Sequence, residues 1–390
     1  MRNSAPRCSC LLPALVATAF CAGLLAPKQA DAVEPGDIET GLKISVDGVE
    51  KTLTLGEAQD ALSVPSVSFA IIDEDRIAAA AAYGEAATPE SLYQAASLSK
   101  FVAAAGAMRL VDRAKLTLDS DVNTKLTSWK VPASGFDNTH PVTLRGLLSM
   151  TAGIGVPGFL GYEAGAPVPN LTQILYGAPP AKSEPVTVVA EPGSTYAYSG
   201  GGYEIVEALM VDTLKAPFPQ IMDELVLKPA GMTRSSFAQP LPRALEADAV
   251  KGHFADGKPL PGGWRIFPEL AAAGLWSTPT DIASLLILVG RAWRGESSLF
   301  LKPETAREMF TAQNGGPYGL GAAIGAADGS LVVMKRGQNV GYQAYLIFLP
   351  AEGKGMVVMT NSDNGSKLAE ALIRRAAELY GWPKLGTLAD

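Results

Sequence analysis

Cysteine is nearly absent from this chain of 390 residues, and it is confined to one end. Cys8, Cys10 and Cys21 all precede residue 33, so the rest of the chain carries no thiol. A disulfide framework, a thiolate metal site and a cysteine nucleophile are excluded there together. Histidine is almost as scarce. Only His140 and His253 occur, in the turn-like contexts Asn138-Thr139-His140-Pro141 and Lys251-Gly252-His253-Phe254, and both read as surface loop residues. No G-x-S-x-G elbow, no H-E-x-x-H pair, no G-x-x-x-x-G-K-[ST] loop and no G-x-G-x-x-G opening a helix after a strand is present. A Ser-His-Asp hydrolase of the usual α/β kind, a zinc site and a nucleotide site therefore lack their signatures, and neither metal nor cofactor is expected. Blocks of positive charge are missing too. The formal net charge is −7, which makes a poor partner for nucleic acid or an anionic membrane.

The first 32 residues read as a segment to be removed. Arg2 and Arg7 precede an apolar run from Cys8 to Ala26, and Ala30 and Ala32 flank Asp31 just ahead of Val33. These are the charged, apolar and small-residue parts of a secretory signal. Pro13 and the cleavage site argue against a membrane anchor, and the bulk of Phe20 before Cys21 argues against a lipoprotein. The expected product is exported, periplasmic or secreted, with no stable membrane insertion. Losing Arg2, Arg7 and Lys28 against Asp31 alone takes its formal charge from −7 to −9.

What remains is long enough for one large domain or two intertwined ones. The 40 glycines and 28 prolines are scattered as turn punctuation rather than gathered into a linker. Val67 to Ile72 and Arg76 to Tyr83 are apolar runs around Asp73-Glu74-Asp75, a hairpin with an acidic turn of three residues. A helix is expected from the stretch YQAASLSKFVAAAGAM (93–108) through about Arg113, and another over Asp281 to Trp293, capped by Thr278 or Thr280. Near the C-terminus, SLVVMKR, YQAYLIFLP and GMVVMTN are strands at hairpin spacing, and a helix follows from about Ser366 to Tyr380. Strands at both ends and helices between predict an α+β fold. One antiparallel sheet joins the terminal segments 33–100 and 265–390, flanked by helices, and 101–264 form an inserted, mostly helical domain.

Within 93–108, Ser97 and Lys100 stand three positions apart, one helical turn, so their side chains share a face. They read either as a nucleophile with its base or as the ordinary polar opening of a helix, with Ser97 as the cap. For Lys100 to accept a proton it must be partly neutral, which requires burial or a nearby cation.

The run VPSVSFAIIDEDRIAAAAAYGEA…TPESLYQAASLSKFVAAAGAMRLVDRAKLTLDSDV resembles the opening of the penicillin-recognising serine hydrolases, in their class C β-lactamase-like branch. VTLRGLLSMTAGI (142–154), KPAGMTRSSF (228–237) and AAAGLWSTPTDIASLL (271–286) resemble further blocks in the family order. The resemblance implies a β-lactamase/transpeptidase-like fold and acyl transfer through a covalent serine ester. Ser97 is then the nucleophile, with Lys100 and Tyr198 handling protons. The family's Tyr-x-Asn motif matches Tyr198, Ser199 and Gly200, so the asparagine is replaced by glycine. Its Lys-Thr-Gly triplet matches Lys335, Arg336 and Gly337, where an arginine intrudes. By the same resemblance Lys335 lowers the pKa of both proton-handling groups and attracts a substrate carboxylate, and Gly337 leaves room for substrate. The amides of Ser97 and Gln338 form the oxyanion hole. Gly200 cannot hydrogen-bond the amide side chain of a β-lactam. The expected substrate is therefore a small ester or amide, or a peptidoglycan-like peptide, with β-lactamase activity weak or absent. An efficient class C-type β-lactamase and a non-catalytic cell-wall-binding relative are the alternatives.

Overall fold

The computed structural model describes residues 1–2, 35–46, 48–85, 87–136 and 140–386. The expected secretory segment lies almost wholly outside the described residues. Six strands form the central sheet: β1 (Val67–Asp73), β2 (Arg76–Tyr83), β3 (Ala323–Ala327), β4 (Ser330–Asn339), β5 (Tyr342–Leu349) and β6 (Lys354–Thr360). They run in the order β2-β1-β6-β5-β4-β3, every neighbouring pair antiparallel. The sheet thus draws its strands from both ends of the chain. The β1–β2 turn is tighter than the three acidic residues predicted. Asp73 stays in the ladder opposite Arg76, and only Glu74 and Asp75 turn, both in left-handed conformation at φ 49° and 56°.

Side-chain alternation along the strands separates two cores. Phe69, Ile71, Tyr345, Ile347, Met356 and Val358 face one side, where Leu368, Leu372 and Ile373 of helix Gly365–Leu379 cover them. Ala70, Ile72, Leu346, Phe348, Val357 and Met359 face the other, joined there by Ile282, Leu286 and Val289 of helix Pro279–Arg294. That second helix begins at Pro279, two residues before the expected Asp281, and of the two candidate caps Thr278 serves, its hydroxyl accepting from the Asp281 amide at 3.1 Å.

Four helices matter below: α1 (Leu98–Asp112), α2 (Gly200–Leu214), the single turn α3 (Leu270–Ala273) and α4 (Pro279–Arg294). Alanine favours helix in α1. From Leu98 through Met108 every α1 residue is buried, because the helix is apolar all round and sits inside the core rather than on it. The core on this side is continuous with the middle of the chain, taking in Leu147 and Leu148 of the helix Leu144–Leu148 and Tyr203, Val206 and Leu209 of α2. No helix of the described residues is long and apolar enough to cross a membrane.

The two histidines part company. His140 is exposed and pairs with Glu191 at 2.8 Å. His253, expected at the surface, is buried. Its Nδ1 lies 3.2 Å from the Asn361 carbonyl and its Nε2 3.3 Å from Glu85. A turn-like local sequence is covered here by the segment that follows β6, a contact no local pattern reveals.

Candidate active site

The first turn of α1 is placed by the residues just before it. Ala96 adopts φ 48°, a left-handed conformation costly for a residue with a Cβ. The Ser99 hydroxyl donates to the Ala96 carbonyl at 2.5 Å and accepts from the Leu275 amide at 3.0 Å, which holds the turn. Ser97 occupies the cap position, yet its side chain makes no capping hydrogen bond. Instead its Oγ accepts from Lys100 Nζ at 3.1 Å. Of residues 91–100, only Ser97 escapes full burial.

Lys100 is 2% exposed and donates a second bond, 2.8 Å long, to the Ala272 carbonyl of α3. Strand β4 supplies the opposite wall. Lys335 is 0% exposed and donates to Tyr318 Oη at 2.7 Å and to Tyr198 Oη at 3.4 Å. The Tyr198 ring lies between the two lysines, with Lys100 Nζ 5.2 Å and Lys335 Nζ 4.8 Å from its centroid. Four residues far apart in sequence, Ser97, Lys100, Tyr198 and Lys335, thereby meet in one cluster.

Burial lowers the Lys100 pKa, because an ammonium loses its hydration there. The nearby Lys335 charge lowers it further, while Tyr198 opposes. Burial alone would raise the Tyr198 phenol. The cations of Lys100 and Lys335 outweigh it and, with hydrogen bonds from Ser97 and Lys100, bring it down to about 8. Each group's charge shifts the other, so lysine and phenol titrate as an interacting pair. Such a unit can draw a proton from the Ser97 hydroxyl near neutral pH.

The cleft above the cluster encloses about 320 Å³ and is lined by Ser97, Lys100, Tyr198, Gly337 and Gln338 together with Phe159 and others. A Cβ on Gly337 would stand 2.9 Å from the Ser97 amide nitrogen and 2.7 Å from the Ala95 carbonyl oxygen. The glycine is required by the chain's own approach to the turn at Ser97, whereas the space was expected to serve substrate. Arg336 alternates to the other face of β4. Its guanidinium stacks 5.0 Å over Tyr345 and donates to that phenol at 2.7 Å, so its charge turns away from the cluster. Lys335 is wholly buried, bonded to two phenols and absent from the cleft lining, so its ammonium stands behind the wall.

Gly200 is closely overlaid. A Cβ there would come 2.9 Å from Phe159 Cε2 and 3.3 Å from the Pro157 carbonyl. The phenylalanine ring thus occupies the space beside residue 200, and Pro157, Gly158 and Phe159 roof that end of the cleft. Neither Phe159 nor Tyr318 was singled out by sequence. Tyr318 sits in a glycine-rich loop without periodicity, and Phe159 in a loop where no local pattern marks it. Asn339, two residues past Gly337, was likewise missed. It donates to Gln94 Oε1 at 2.8 Å and to the Ala273 carbonyl at 3.2 Å, tying β4 to α3. Its signal was available, since Lys335, Gly337 and Asn339 share one face of a strand. Among the described residues no cluster of metal-ligating side chains occurs.

A family model described as Beta-lactamase matches residues 54–380. Among curated proteins, an uncharacterized protein of Mycobacterium tuberculosis is 28% identical over 249 residues, 57% of this chain and 59% of its own length. Protein flp of Staphylococcus aureus is 24% identical over 231 residues, 56% of this chain and 42% of its own. The chain therefore spans less than two thirds of the curated relatives it matches. Solved structures align further. The octameric penicillin-binding protein homologue from Pyrococcus abyssi superposes with a TM-score of 0.70 at 24% identity, covering 84% of this chain and 76% of that one. EstCE1, a hydrolase with promiscuous acyltransferase activity, gives 0.65 at 22% over 84% and 96%. D-amino acid amidase from Ochrobactrum anthropi SV3, complexed with L-phenylalanine, gives 0.66 at 20% over 83% and 95%. At these identities the likeness establishes a shared fold.

Proposed function

The chain belongs to the beta-lactamase family, and on that premise we propose that it is an exported serine hydrolase acting on small esters or amides through an acyl-Ser97 intermediate. The observation that carries this reading is the 3.1 Å bond between Ser97 Oγ and a buried Lys100, with Tyr198 between Lys100 and Lys335. Ser97 Oγ attacks the carbonyl carbon while its proton passes to the Lys100–Tyr198 unit. The oxyanion is taken by the amides of Ser97 and Gln338, and the same unit returns a proton to the leaving group. Water, deprotonated in turn, then releases the acyl group and restores Ser97.

The substrate class follows from the far end of the cleft. Gly200 offers no side chain to an acylamino group, and Phe159 fills the space where one would reach. This favours esterase-like or D-amino-acid peptidase-like turnover over efficient β-lactam hydrolysis. The names of the neighbours, a hydrolase with promiscuous acyltransferase activity and a D-amino acid amidase, agree with that preference. Export is supported by the charged, apolar and small-residue order of the first 32 residues.

The test compares p-nitrophenyl acetate and butyrate with nitrocefin, using wild type and Ser97→Ala. Ester turnover that disappears in the variant, with little nitrocefin cleavage, is the expected result. Rapid nitrocefin turnover would overturn the substrate preference. Absence of any Ser97-dependent reaction would move the assignment to a cell-wall-binding relative.

A further inference from the structure

Lys100 has two bonding partners beyond Tyr198, and only one of them is the nucleophile. The other, the Ala272 carbonyl, is fixed by the 2.8 Å bond that sets where the ammonium can sit. That carbonyl belongs to α3, a single turn of four residues, too short to hold its own geometry. What holds it lies on α2. Glu207 Oε2 accepts from the Ala271 amide at 2.9 Å and Glu204 Oε1 from the Ala272 amide at 3.3 Å. Glu204 and Glu207 are one turn apart on the same face of α2, the helix whose N-terminus follows Tyr198 directly. Both are buried, at 0% and 3% exposure, where an apolar residue of similar volume would be the less costly occupant.

We propose that Glu204 and Glu207 are positioning residues that clamp the Ala271–Ala272 stretch so that the Ala272 carbonyl holds Lys100 against Ser97. The proposal rests on the acyl-serine reading above and adds to it a support reaching from the tyrosine's helix to the base. Burial raises the Glu207 carboxyl to about 8 against the Ala271 amide bond, with the Glu269 charge adding to the rise, and burial drives Glu204 well upward, with the charges of Glu207 and Glu269 adding to it. Shifted toward the uncharged form, the carboxyls still accept from the backbone amides of α3. A fixed ammonium position is what a base needs, and the clamp provides it through the Ala272 carbonyl.

The experiment compares Glu207→Gln, which keeps an acceptor oxygen, with Glu207→Leu, which keeps the volume and removes it. The readouts are kcat and KM on p-nitrophenyl butyrate and the rate at which a fluorophosphonate labels Ser97. In Glu207→Leu, kcat and labelling are expected to fall roughly 10- to 100-fold with KM unchanged, as for small displacements of a reacting group. Glu207→Gln is expected to rescue most of that loss. Should Glu207→Leu not fold, Glu204→Gln and Glu204→Met carry the same comparison. Wild-type rates in the apolar variant, or equal losses in both variants, would overturn the proposal. A wild type inert to both ester and probe would instead bring down the acyl-serine reading, and the clamp with it.

Discussion

Two groups of buried charge meet at α3, and burial does opposite work in them. Lys100 lines the cleft and Lys335 stands behind its wall, both beside phenols, whereas Glu204, Glu207 and Glu269 are enclosed in the core and none of them lines that cleft. Desolvation pushes Lys100 down and the three carboxyls up, in each case toward the uncharged form. On the cationic side the Ser97 hydroxyl lies within reach of Lys100 and faces the cleft, which under the proposed function makes the lysine a base. The acidic side gains quiet acceptors for backbone amides. The same physical pressure thus makes a chemical site or a scaffold according to what the group faces.

The contrast can be broken most severely at Lys100. Replacing it as Lys100→Met removes the group on which the cationic side depends, and Ser97-dependent ester turnover is expected to fall about a hundred- to ten-thousandfold. Folded protein with undiminished turnover would show that Tyr198 alone suffices. A smaller effect is expected at Lys335, whose charge lowers both Lys100 and Tyr198. In the wild type, kcat/KM should rise with pH and level off above about 8, the value to which the phenol is brought. Lys335→Met raises both groups, so the rise moves to higher pH. A displacement of one unit costs roughly tenfold at neutral pH. An unmoved profile would separate Lys335 from the proton-handling unit.

The smallest effect concerns the acidic side and is read in stability rather than rate. Glu269 is raised from 4.5 to about 7 by burial, so the folded chain keeps a proton that the unfolded chain releases. Its contribution is complete below about 4.5 and is lost as the pH rises through 7, which lowers the unfolding temperature over that interval. Glu269→Gln should flatten this decline. A decline as steep as in wild type would place its origin elsewhere, with Glu207 the next group to examine.

Much of this was legible before any coordinates. The strands from Ser330 onward, the hairpin around Glu74 and the Thr278 cap are set by local alternation, turn chemistry and capping. The proximity of Ser97 and Lys100 was legible because helical spacing is local, and Tyr198 and Lys335 stand in segments that resemble family motifs. What escaped depends on contacts between distant segments. The burial of His253 needs the chain after β6, and the Tyr318 bond to Lys335 needs a loop without pattern to fold over β4. Phe159 beside Gly200 belongs to the same class, since nothing at either position alone indicates that one ring fills the other's missing side chain. Nothing local marks Glu204 and Glu207 as internal, and only the packing of α3 against α2 makes them so.

The order of strands in the sheet also governs when a cleft can exist during biosynthesis. Val67 in β1 pairs with Thr360 in β6, and the wall carrying Lys335 and Gly337 reaches β1 only through β5 and β6. A nascent chain exposes Ser97 early but has no wall to place beside it until nearly all of its length has emerged. Contacts so distant in sequence close late and slowly. Under the proposed function the serine therefore stays without its wall until the chain through Thr360 has emerged. Loss of the final strand, even with every cleft residue intact, would leave a serine without its machinery.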